Sequence, residues 1–396
     1  MKVTCVGGGP ASLYFSILMK LRDPSHDITV YERNPAGSTY GWGVTYWGGL
    51  LDKLRESDPE SARAIGEASV RWRDGVAHVG GRSTRHRGDE GFGIGRRRLL
   101  GILADRAAGL GVRVEFEHEI AGEVAGADLV VVADGVNSLL RRHHEDDFGT
   151  EVATGRNTYI WLGTTKVFDA FTFAFVETEH GWIWCYGYRF NDERSTCVIE
   201  CSTATWAGLG LDRAGEADGL ALLEKLFGEL LDGHRLIGRG QADAQWLRFQ
   251  TVTNRSWYRG NLVLVGDAAH TTHYSIGAGT TLALEDSIAL AGALGRHAGL
   301  EPALAEYERK RKAALLPVQS AARYSARFYE SLPRYVRLEP AQMFALLGQR
   351  HSPLLPHIPP LLYYRLDQAA GRLEALRRVK RWAGHRIAGS LQLFSR

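Results

Sequence analysis

The sequence predicts an α/β protein in which a parallel-sheet domain contains an inserted antiparallel sheet and is followed by C-terminal helices. A strand–helix–strand pattern fills residues 2–33, as expected of a βαβ unit. Residues 156–201 alternate aromatic or β-branched with polar residues, which indicates antiparallel strands. A continuously apolar strand at 261–265 then returns the chain to the parallel sheet. With 396 residues, 44% of them hydrophobic, the chain can bury a large core.

Each element follows from its local pattern of apolar and polar residues. Periodicity and turn signals in the first part predict a strand at 2–6, a helix at 10–21, a strand at 27–33, an amphipathic helix at 96–111, a half-buried strand at 112–120 and a buried strand at 129–133. The same signals later predict a helix at 219–233, a strand at 261–265, helices at 278–294 and 302–330, and a proline-rich break at 352–364 before a basic helix.

Composition excludes several classes of protein. The net charge of +3 does not call for nucleic acid. No run reaches about 18 apolar residues, so no membrane span is expected. The chain enters its first strand directly, without the features of a signal peptide. The four cysteines lack paired metal spacing, so we expect reduced thiols, no metal site and a cytoplasmic protein.

Two clusters of basic residues have two possible interpretations. One comprises Arg82, Arg85 and Arg87, and the other is the C-terminal stretch 371–396. Solvated faces are one interpretation. The other is docking of a phosphate-bearing partner, such as a carrier protein or CoA.

The stretch "VGGGPAS" predicts a site for a pyrophosphate. Gly7 and Gly9 follow the first strand as Gly-x-Gly, which lets the backbone approach phosphate closely. The helix that begins at Pro10 would supply free N–H groups through Ala11 and Ser12. At the end of the next strand, Glu32 and Arg33 are candidates for ribose contacts. An ordinary tight turn is the alternative.

Two further motifs give the sequence a resemblance to a known family. Asp134-Gly135, Ser138 and Arg141 form D-G-x-x-S-x-x-R, and residues 266–270 read GDAAH. With the N-terminal Gly-x-Gly, these motifs resemble those of the FAD-dependent aromatic hydroxylases, which are single-component flavoprotein monooxygenases with the p-hydroxybenzoate hydroxylase fold. Residues 1–330 carry the resemblance. "GFGIGRRRLLGIL" and "GDAAHTTHYSIGAGT" are similar to the branch of salicylyl-CoA 5-hydroxylase, 2-aminobenzoyl-CoA monooxygenase and the violacein tryptophan hydroxylase.

The resemblance implies a Rossmann-like FAD-binding domain with an inserted antiparallel substrate domain. The expected division is FAD-binding at 1–75, a substrate/FAD interface at 76–100, FAD-binding again at 101–155, the substrate domain at 156–255, FAD-binding at 256–330 and a C-terminal helical region at 331–396.

The resemblance also implies which residues hold FAD. Asp267 would accept from the ribityl and pyrophosphate portion, and the helix near Thr280 would aim its positive end at the flavin. The remaining expected contacts are Trp42 and Gly43 in the loop "GWGV", Arg97 at a helix start, Asp134, Gly266, and the glycines Gly277 and Gly279 that pass the ring.

In the family, NADPH or NADH reduces FAD, O2 forms a flavin hydroperoxide, and an electron-rich aromatic ring is hydroxylated. The substrate would be a small phenol, aniline or indole, either free or attached to CoA or a carrier protein. His273, Tyr274 and His270 are the candidates for proton transfer, with packing an equal alternative for His270. The candidate substrate contacts are Trp161, Phe173, Trp184 and Tyr186, for which strand core is the alternative.

Other flavin chemistries remain open at this level. They include a Baeyer–Villiger or epoxidising monooxygenase and a non-oxygenating FAD reductase. The stretch "GWIWCYG" also invites a halogenase interpretation, but the isoleucine and proline of that signature are replaced by Tyr186 and Gly187. The lack of a second Gly-x-Gly turn fits either transient binding of the nicotinamide or a separate reductase. The oligomeric state is left open.

Overall fold

A computed structural model describes residues 1–39, 41–238 and 245–372. Its strands are β1 (Lys2–Val6), β2 (Asp27–Tyr31), β3 (Gly43–Trp47), β4 (Val70–Val79), β5 (Arg82–Gly95), β6 (Arg113–Glu115), β7 (Leu129–Val132), β8 (Thr150–Thr164), β9 (Phe171–Thr178), β10 (Gly181–Arg189), β11 (Ser195–Ser202), β12 (Leu236–Ile237), β13 (Leu247–Asn254), β14 (Tyr258–Arg259) and β15 (Leu262–Leu264).

The helices alternate with these strands in the first part of the chain and dominate its end. They are α1 (Pro10–Arg22), α2 (Gly48–Ser57), α3 (Pro59–Glu67), α4 (Arg96–Gly109), α5 (Leu139–His143), α6 (Glu145–Phe148), α7 (Thr203–Gly208), α8 (Glu216–Leu226), α9 (Gly228–Leu231), α10 (Gly279–Arg296), α11 (Leu300–Glu330), α12 (Pro333–Val336), α13 (Pro340–Gly348) and α14 (Pro360–Arg372), with 3-10 turns at Gly266–Ala268, Tyr274–Ile276 and Leu355–His357.

The first sheet is the predicted parallel one, in the order β14-β15-β7-β1-β2-β6. All its neighbours pair in parallel except β14 and β15. Its central strands are fully buried, as their continuous apolar runs predict. Helices α1 and α10 pack together on this sheet, and Ser287 Oγ of α10 donates to the Ala11 carbonyl of α1 at 2.8 Å. The carboxyl ends of β1, β7 and β15 therefore meet at one edge.

The second sheet runs in the order β12-β8-β11-β10-β9-β4-β5-β3, and β13 also pairs with β8. The expected antiparallel pairing holds throughout β8 to β11, but β4 pairs with β9 in parallel. This sheet begins earlier in the chain than the sequence patterns indicate, because β3, β4 and β5 of segment 43–95 belong to it. Those strands contain many glycines and charged residues, so their alternation is weak.

The two faces of the second sheet have different neighbours. One face carries Ile160, Ile183, Cys185, Cys197 and Ile199 and packs with apolar residues of α8 and α9. The opposite face packs against residues of α11 to α14. That second face carries the side chains that matter for the site below, including Phe173, Trp184, Tyr186 and Val198.

The structure bears on the expectations about membrane spans, cysteines and the two basic clusters. No helix in the described ranges is long and apolar enough to cross a membrane. The four cysteines are free and buried. The C-terminal helical region is present as α12 to α14, whereas the basic stretch from residue 373 to 396 lies outside the described residues. Of the other basic cluster, Arg82 pairs with Glu339 at 2.9 Å, and Arg85 pairs with Asp74 and Asp169.

Candidate functional site

The Gly-x-Gly turn lies where β1 ends against β7. Gly7 has φ +97°, and a Cβ there would stand 2.5 Å from the Ala133 carbonyl oxygen, so only glycine fits. Gly9 is the N-cap of α1, and no side chain caps the helix N-terminus. Pro10 occupies the first turn, which holds no acidic residue. Free N–H groups and the positive end of the helix dipole therefore face the edge of the parallel sheet.

The acidic residue of the fingerprint is held beside this turn. Glu32 Oε2 accepts from the Gly8 N–H at 2.7 Å, and Oε1 accepts from the Asn34 backbone N–H and side-chain amide. These bonds shape the loop and leave lone pairs for a ribose hydroxyl. Arg33 points outward and pairs with Glu119 at 3.5 Å. Ser12 is buried where α1 crosses β1, and its hydroxyl is without a partner among the described atoms.

The D-G-x-x-S-x-x-R motif joins two of the strand ends. Asp134 Oδ2 accepts from the Leu139 N–H at 2.9 Å, and Ser138 Oγ caps α5 by accepting from the Arg141 N–H. The Arg141 guanidinium then donates to the Ala268 carbonyl at 3.1 Å. Asp134 and Arg141 therefore hold the loop after β7 against the loop after β15. One oxygen of the Asp134 carboxylate serves this loop, the other, Oδ1, is buried without a partner among the described atoms, and the Asp134 backbone lies against Gly7.

His270 belongs to a buried network of charged side chains. Its Nε2 lies 2.9 Å from Asp286 Oδ2, and the other carboxylate oxygen accepts from Arg311 Nε at 2.7 Å. The Gly266 N–H donates to the same carboxylate, and the His270 ring stacks on Trp257 at 4.8 Å. Burial by itself would raise the pKa of Asp286, but His270 and Arg311 outweigh it and lower that pKa. His270 therefore bonds within this network through Nε2, while its Nδ1 is buried without a partner among the described atoms.

Asp267 sits in the groove between the strand ends. Its side chain reaches solvent, and no hydrogen-bond donor to its carboxylate lies within the described part of the chain. Surrounding protein raises the pKa of Asp267, and the Arg96 guanidinium opposes that effect. Arg96 Nε is itself buried without a partner. Arg97, the arginine expected here, is exposed and lies near Gly37 instead. Arg96 and Arg97 are adjacent on α4, so their side chains point in directions about 100° apart. Arg96 therefore points inward and Arg97 points outward.

The loop "GWGV" and the loop before α10 lie against each other. Gly277 has φ +63°, and a Cβ on it would stand 2.7 Å from Thr45 Oγ1. The Gly43 N–H donates to Thr196 Oγ1 at 2.9 Å, while its carbonyl accepts from Tyr188 Oη at 2.8 Å. These bonds fix the loop on β10 and β11.

Close ring contacts extend this wall. The Trp42 ring lies over Gly163, where a Cβ would come within 2.6 Å, and the Trp161 ring covers Gly41 in the same way. The N-terminus of α10, at Gly279 and Thr280, has no side-chain cap and no acidic residue in its first turn. A planar group held between this helix end and the GWGV loop would meet free N–H groups at one edge.

Next to this space lies a cluster of aromatic rings, here called the aromatic chamber, which comprises Tyr159, Tyr186, Phe249 and Tyr274. Tyr274 is half-buried at its centre, with ring centroids 4.4 Å from Tyr159, 6.0 Å from Tyr186 and 5.7 Å from Phe249. Burial, and the nearby charge of Asp267, raise the pKa of Tyr159 to about 12. Tyr159 therefore lies between the aromatic chamber and the groove that contains Asp267.

His273 borders the same chamber in its neutral form. Its Nδ1 lies 2.8 Å from Ser275 Oγ, which in turn lies 2.7 Å from Ser325 Oγ. Burial and the positive charge of Arg350 lower the pKa of His273 to about 3. An imidazole that stays neutral can donate or accept one hydrogen bond but does not serve as a charged acid near pH 7.

The four aromatic residues expected to contact substrate share the face of the second sheet that meets this chamber. Phe173, Trp184 and Tyr186 are nearly fully buried, and Trp184 stacks on Tyr329 at 5.7 Å. Trp161 is half-buried. Three polar atoms here, Trp161 Nε1, Trp184 Nε1 and Tyr186 Oη, are buried without a described partner. Orphaned donors of this kind indicate a polar ligand or water in the chamber.

One residue of the chamber was missed from the sequence. Glu200 is 0% exposed and lies opposite Tyr159 and Trp184 on the neighbouring strands. Its Oε2 accepts from Tyr274 Oη at 2.8 Å, and its Oε1 accepts from Asn157 Nδ2 at 2.8 Å. Burial raises the pKa of Glu200 to about 7, against the opposing hydrogen bonds. The available signal was a lone glutamate in the apolar strand "STCVIECS".

The groove fits the expected dinucleotide on three observations. Glycine is required sterically at Gly7 and Gly277, two helices present uncapped N-termini, and Asp267 and Arg96 have polar atoms free for a ligand. These features lie at the carboxyl ends of parallel strands, where ligands of open α/β sheets bind. In the described ranges, no cluster of side chains suits a metal ion.

Comparison with known proteins identifies relatives along most of the chain. Residues 85–319 match the FAD binding domain family. A salicyloyl-CoA 5-hydroxylase from Streptomyces sp is 38% identical over 348 residues, which cover 85% of this chain and 67% of that protein. A 3-hydroxy-4-methyl-anthranilyl-(aryl-carrier protein) 5-monooxygenase from Streptosporangium sibiricum is 36% identical, over 84% of this chain and 90% of that protein.

Two further matches extend to nearly the whole length of the compared protein. The protodeoxyviolaceinate monooxygenase of Chromobacterium violaceum is 29% identical over 94% of this chain and 100% of that protein. Among solved structures, 2-methyl-3-hydroxypyridine-5-carboxylic acid oxygenase superposes with a TM-score of 0.70, at 20% identity, over 86% of this chain and 96% of that one. The structural likeness supports the fold, and the sequence relatives support the family. The chain belongs to the FAD-dependent aromatic hydroxylases, flavoprotein monooxygenases that use FAD, NAD(P)H and O2.

Proposed function

We propose that this monooxygenase hydroxylates an aromatic acyl thioester whose ring carries a hydroxyl or amino group next to the acyl group. The observation that carries the proposal is shared by the two relatives above 35% identity. Both are named for an aromatic acyl group joined to CoA or to a carrier protein, and both for reaction at ring position 5. Position 5 of a salicyl or anthranilyl ring is para to its hydroxyl or amino group, so we propose para hydroxylation.

We assign FAD to the groove between the two sheets. The turn at Gly7 and the N-terminus of α1 would hold the pyrophosphate, Asp267 would accept from a ribityl hydroxyl, and Arg96 would donate beside it. The N-terminus of α10 would face the pyrimidine edge. When bound and reduced by NAD(P)H, FAD supplies an electrophilic oxygen atom from O2.

The chain's own residues would position the ring and exclude water. The aromatic chamber around Tyr274 offers flat apolar surface for the substrate ring, and the orphaned Trp161 Nε1 and Tyr186 Oη can donate to its carbonyl or ring oxygen. Neutral His273 can hold one further hydrogen bond. A dry chamber matters because water would divert the activated oxygen to hydrogen peroxide.

The test compares thioesters with the matched free acids. Salicyloyl-CoA, 2-aminobenzoyl-CoA and an aryl-carrier-protein thioester are each supplied with NADH or NADPH, and NAD(P)H consumption, O2 uptake and product mass are followed. We expect substrate-stimulated turnover and a product heavier by one oxygen for a thioester, and little for salicylate or 2-aminobenzoate. Equal turnover of the free acids, or products with the oxygen ortho to the donor, would contradict the proposal. A ring-expanded product would point to Baeyer–Villiger chemistry.

A free indole is the rival substrate class, because the relative named for protodeoxyviolaceinate matches over its whole length. The same assay separates the two classes. Turnover of tryptophan-derived indoles with none of the thioesters would replace the proposed substrate while leaving the monooxygenase assignment intact.

We also propose a division of the chain into FAD-binding and substrate segments, and a cytoplasmic location. The division between FAD-binding and substrate segments follows the two sheets, with the substrate wall built from 43–95 and 150–254. A cytoplasmic, reducing environment is supported by four cysteines that are buried and free.

A further inference from the structure

We propose that Glu200 and Tyr274, held in place by Asn157, form a proton relay in which Tyr274 takes the proton of the substrate's ring hydroxyl and passes its own proton to Glu200. The inference rests on the proposed function, because it assigns where the proton of the ring hydroxyl goes while that oxygen activates the para position. Tyr274 touches the substrate, whereas Glu200 acts through it.

The geometry of the cluster carries the inference. Tyr274 is half-buried and borders the chamber, while Glu200 behind it is fully buried. The Tyr274 hydroxyl donates to Glu200 Oε2 at 2.8 Å, so its own lone pairs are left for a donor in the chamber. Asn157 Nδ2 holds Oε1 at 2.8 Å and fixes the plane of the carboxyl group. Tyr274 is therefore the end of the relay that a substrate can reach, and Glu200 is the end that is closed to solvent.

The absence of a counter-ion distinguishes this carboxyl group from a structural ion pair. Within the described part of the chain, no arginine, lysine or histidine pairs with Glu200. A buried, unpaired carboxylate is costly, so such a group is usually found where its proton has a use. The titratable groups that face it from the neighbouring elements are Tyr159 of β8, Tyr186 of β10, Cys201 of β11, Tyr274, and Tyr329 and Glu330 of α11.

The proton step balances without any further reactant. The substrate's ring O–H bond breaks and leaves its electron pair on the ring oxygen, while a new O–H bond forms on Tyr274 Oη. The original Tyr274 O–H bond breaks in turn, and a new O–H bond forms on Glu200 Oε2. One proton moves, nothing is oxidised, and the electron pair left on the ring increases its reactivity at the para position. Between turnovers, once the product has left, the carboxyl group returns the proton through the Tyr274 hydroxyl, which is the end of the relay that is partly exposed.

The pKa of Glu200, about 7, suits this task. The carboxylate must be ionised before the substrate reacts, so the relay works only above that pKa. We expect the rate of hydroxylation to rise with pH through about 7 in the wild-type enzyme. A general base whose pKa lies near the working pH transfers protons most effectively.

The experiment uses the full-length FAD enzyme and three variants. Glu200→Gln keeps the size and the bond from Tyr274 but cannot accept a proton. Tyr274→Phe removes the end of the relay that a substrate can reach. Glu177→Gln is the matched control, because Glu177 is an exposed carboxylate on β9 of the same sheet. All are assayed with salicyloyl-CoA and with a ring-fluorinated analogue whose hydroxyl group is already ionised at the assay pH.

We expect Glu200→Gln and Tyr274→Phe to lower kcat about 100-fold, as loss of a general base does, with little change in KM. The dependence on pH near 7 should vanish, and the ionised analogue should restore turnover. Glu177→Gln should match the wild type. A Glu200→Gln enzyme that keeps both the wild-type pH profile and its yield of product per NAD(P)H would overturn the relay while leaving the proposed substrate standing.

Infrared spectroscopy keeps the relay testable if the substrate proposal fails. The wild type should show the carbonyl band of a protonated, buried carboxylic acid that disappears with an apparent pKa of about 7. Glu200→Gln should lack the band, and Tyr274→Phe should shift it. If salicyloyl-CoA is not hydroxylated but the band titrates as expected, the proposed substrate is wrong and the relay stands. If the band is missing in the wild type, the relay is wrong.

Discussion

Two buried carboxylates, Asp286 and Glu200, behave in opposite ways. Each is 0% exposed. Asp286 contacts His270 and Arg311, and those partners lower its pKa. Glu200 accepts hydrogen bonds from the neutral groups of Asn157 and Tyr274, and burial raises its pKa to about 7. Although the two carboxyl groups are equally buried, Asp286 stays ionised within a network of ion pairs, whereas Glu200 can exchange a proton. The partners, rather than the depth, decide the role.

The largest effect in this comparison is expected when the negative charge of Asp286 is removed. Asp286→Asn would remove one of the two carboxylates that face the buried Arg311 guanidinium and leave only Glu285 at 3.2 Å, and we expect the free energy of unfolding to fall by about 3 kcal/mol. Urea denaturation at neutral pH measures it. The control is Asp52→Asn, whose carboxylate is mostly exposed and pairs with Arg55. A loss below about 1 kcal/mol for Asp286→Asn would contradict the structural role of the network.

The second test concerns the dependence of stability on pH. Because folding raises the pKa of Glu200 from its ordinary value of 4.5 to about 7, its neutral form favours the folded state. This stabilisation is fully present below about pH 4.5 and is lost as pH rises through about 7. The contribution amounts to roughly 3 kcal/mol.

Glu200→Gln should remove that dependence. We expect the variant to be more stable than the wild type at pH 8 and similar to it at pH 5, as measured by urea denaturation at both values. Asp286, with its lowered pKa, should show the opposite sign, since its contribution is lost only as pH falls into the acid range. Equal stability differences at pH 5 and pH 8 would show that Glu200 does not titrate between them.

A third test compares two adjacent arginines at the FAD groove. Arg96→Gln should weaken FAD binding by about tenfold, or 1.4 kcal/mol, because Arg96 faces Asp267. Arg97→Gln should have little effect, since Arg97 is exposed. Fluorescence titration of the apo-protein with FAD measures both, and Asp267→Ala serves as the reference for a lost contact. If Arg97→Gln weakened FAD binding more than Arg96→Gln, Arg97 would be the arginine that contacts FAD, as expected from the sequence.

An effect of similar size is expected at the loop before α10. Gly277→Ala would place a side chain in the left-handed region and against Thr45 Oγ1. We expect a loss of about 1–2 kcal/mol in the free energy of unfolding, together with slower hydroxylation. Gly210→Ala is a matched control for backbone strain alone, because Gly210 also has positive φ but nothing near its Cβ position. Equal losses of activity in both variants would show that the effect of Gly277→Ala comes from backbone strain and not from the position of this loop at the site.

Much of the cofactor groove could be predicted because its signals are local. Gly7 follows an apolar strand and precedes a helix, and Asp267 follows another such strand, so their positions need only short-range patterns. Other features of the site depend on information that short patterns lack. Choosing Arg96 over Arg97 depends on the phase of α4, where one residue turns a side chain by about 100°. His270 could be recognised as part of a motif, but its bond to Asp286 spans 16 positions.

By itself, the sequence determined the order of strands and helices around the phosphate turn, the GDAAH loop and the family to which the chain belongs. Only the tertiary structure decided that Glu200, Asn157 and Tyr274 meet, because they come from two strands and a loop separated by 43 and 74 positions. Strand register sets which face of a sheet a residue occupies, and a shift of one residue would have placed Glu200 on the opposite face. The pKa of its carboxyl group depends on that placement, since neutral neighbours and exclusion of water are properties of the packed sheet and not of the strand.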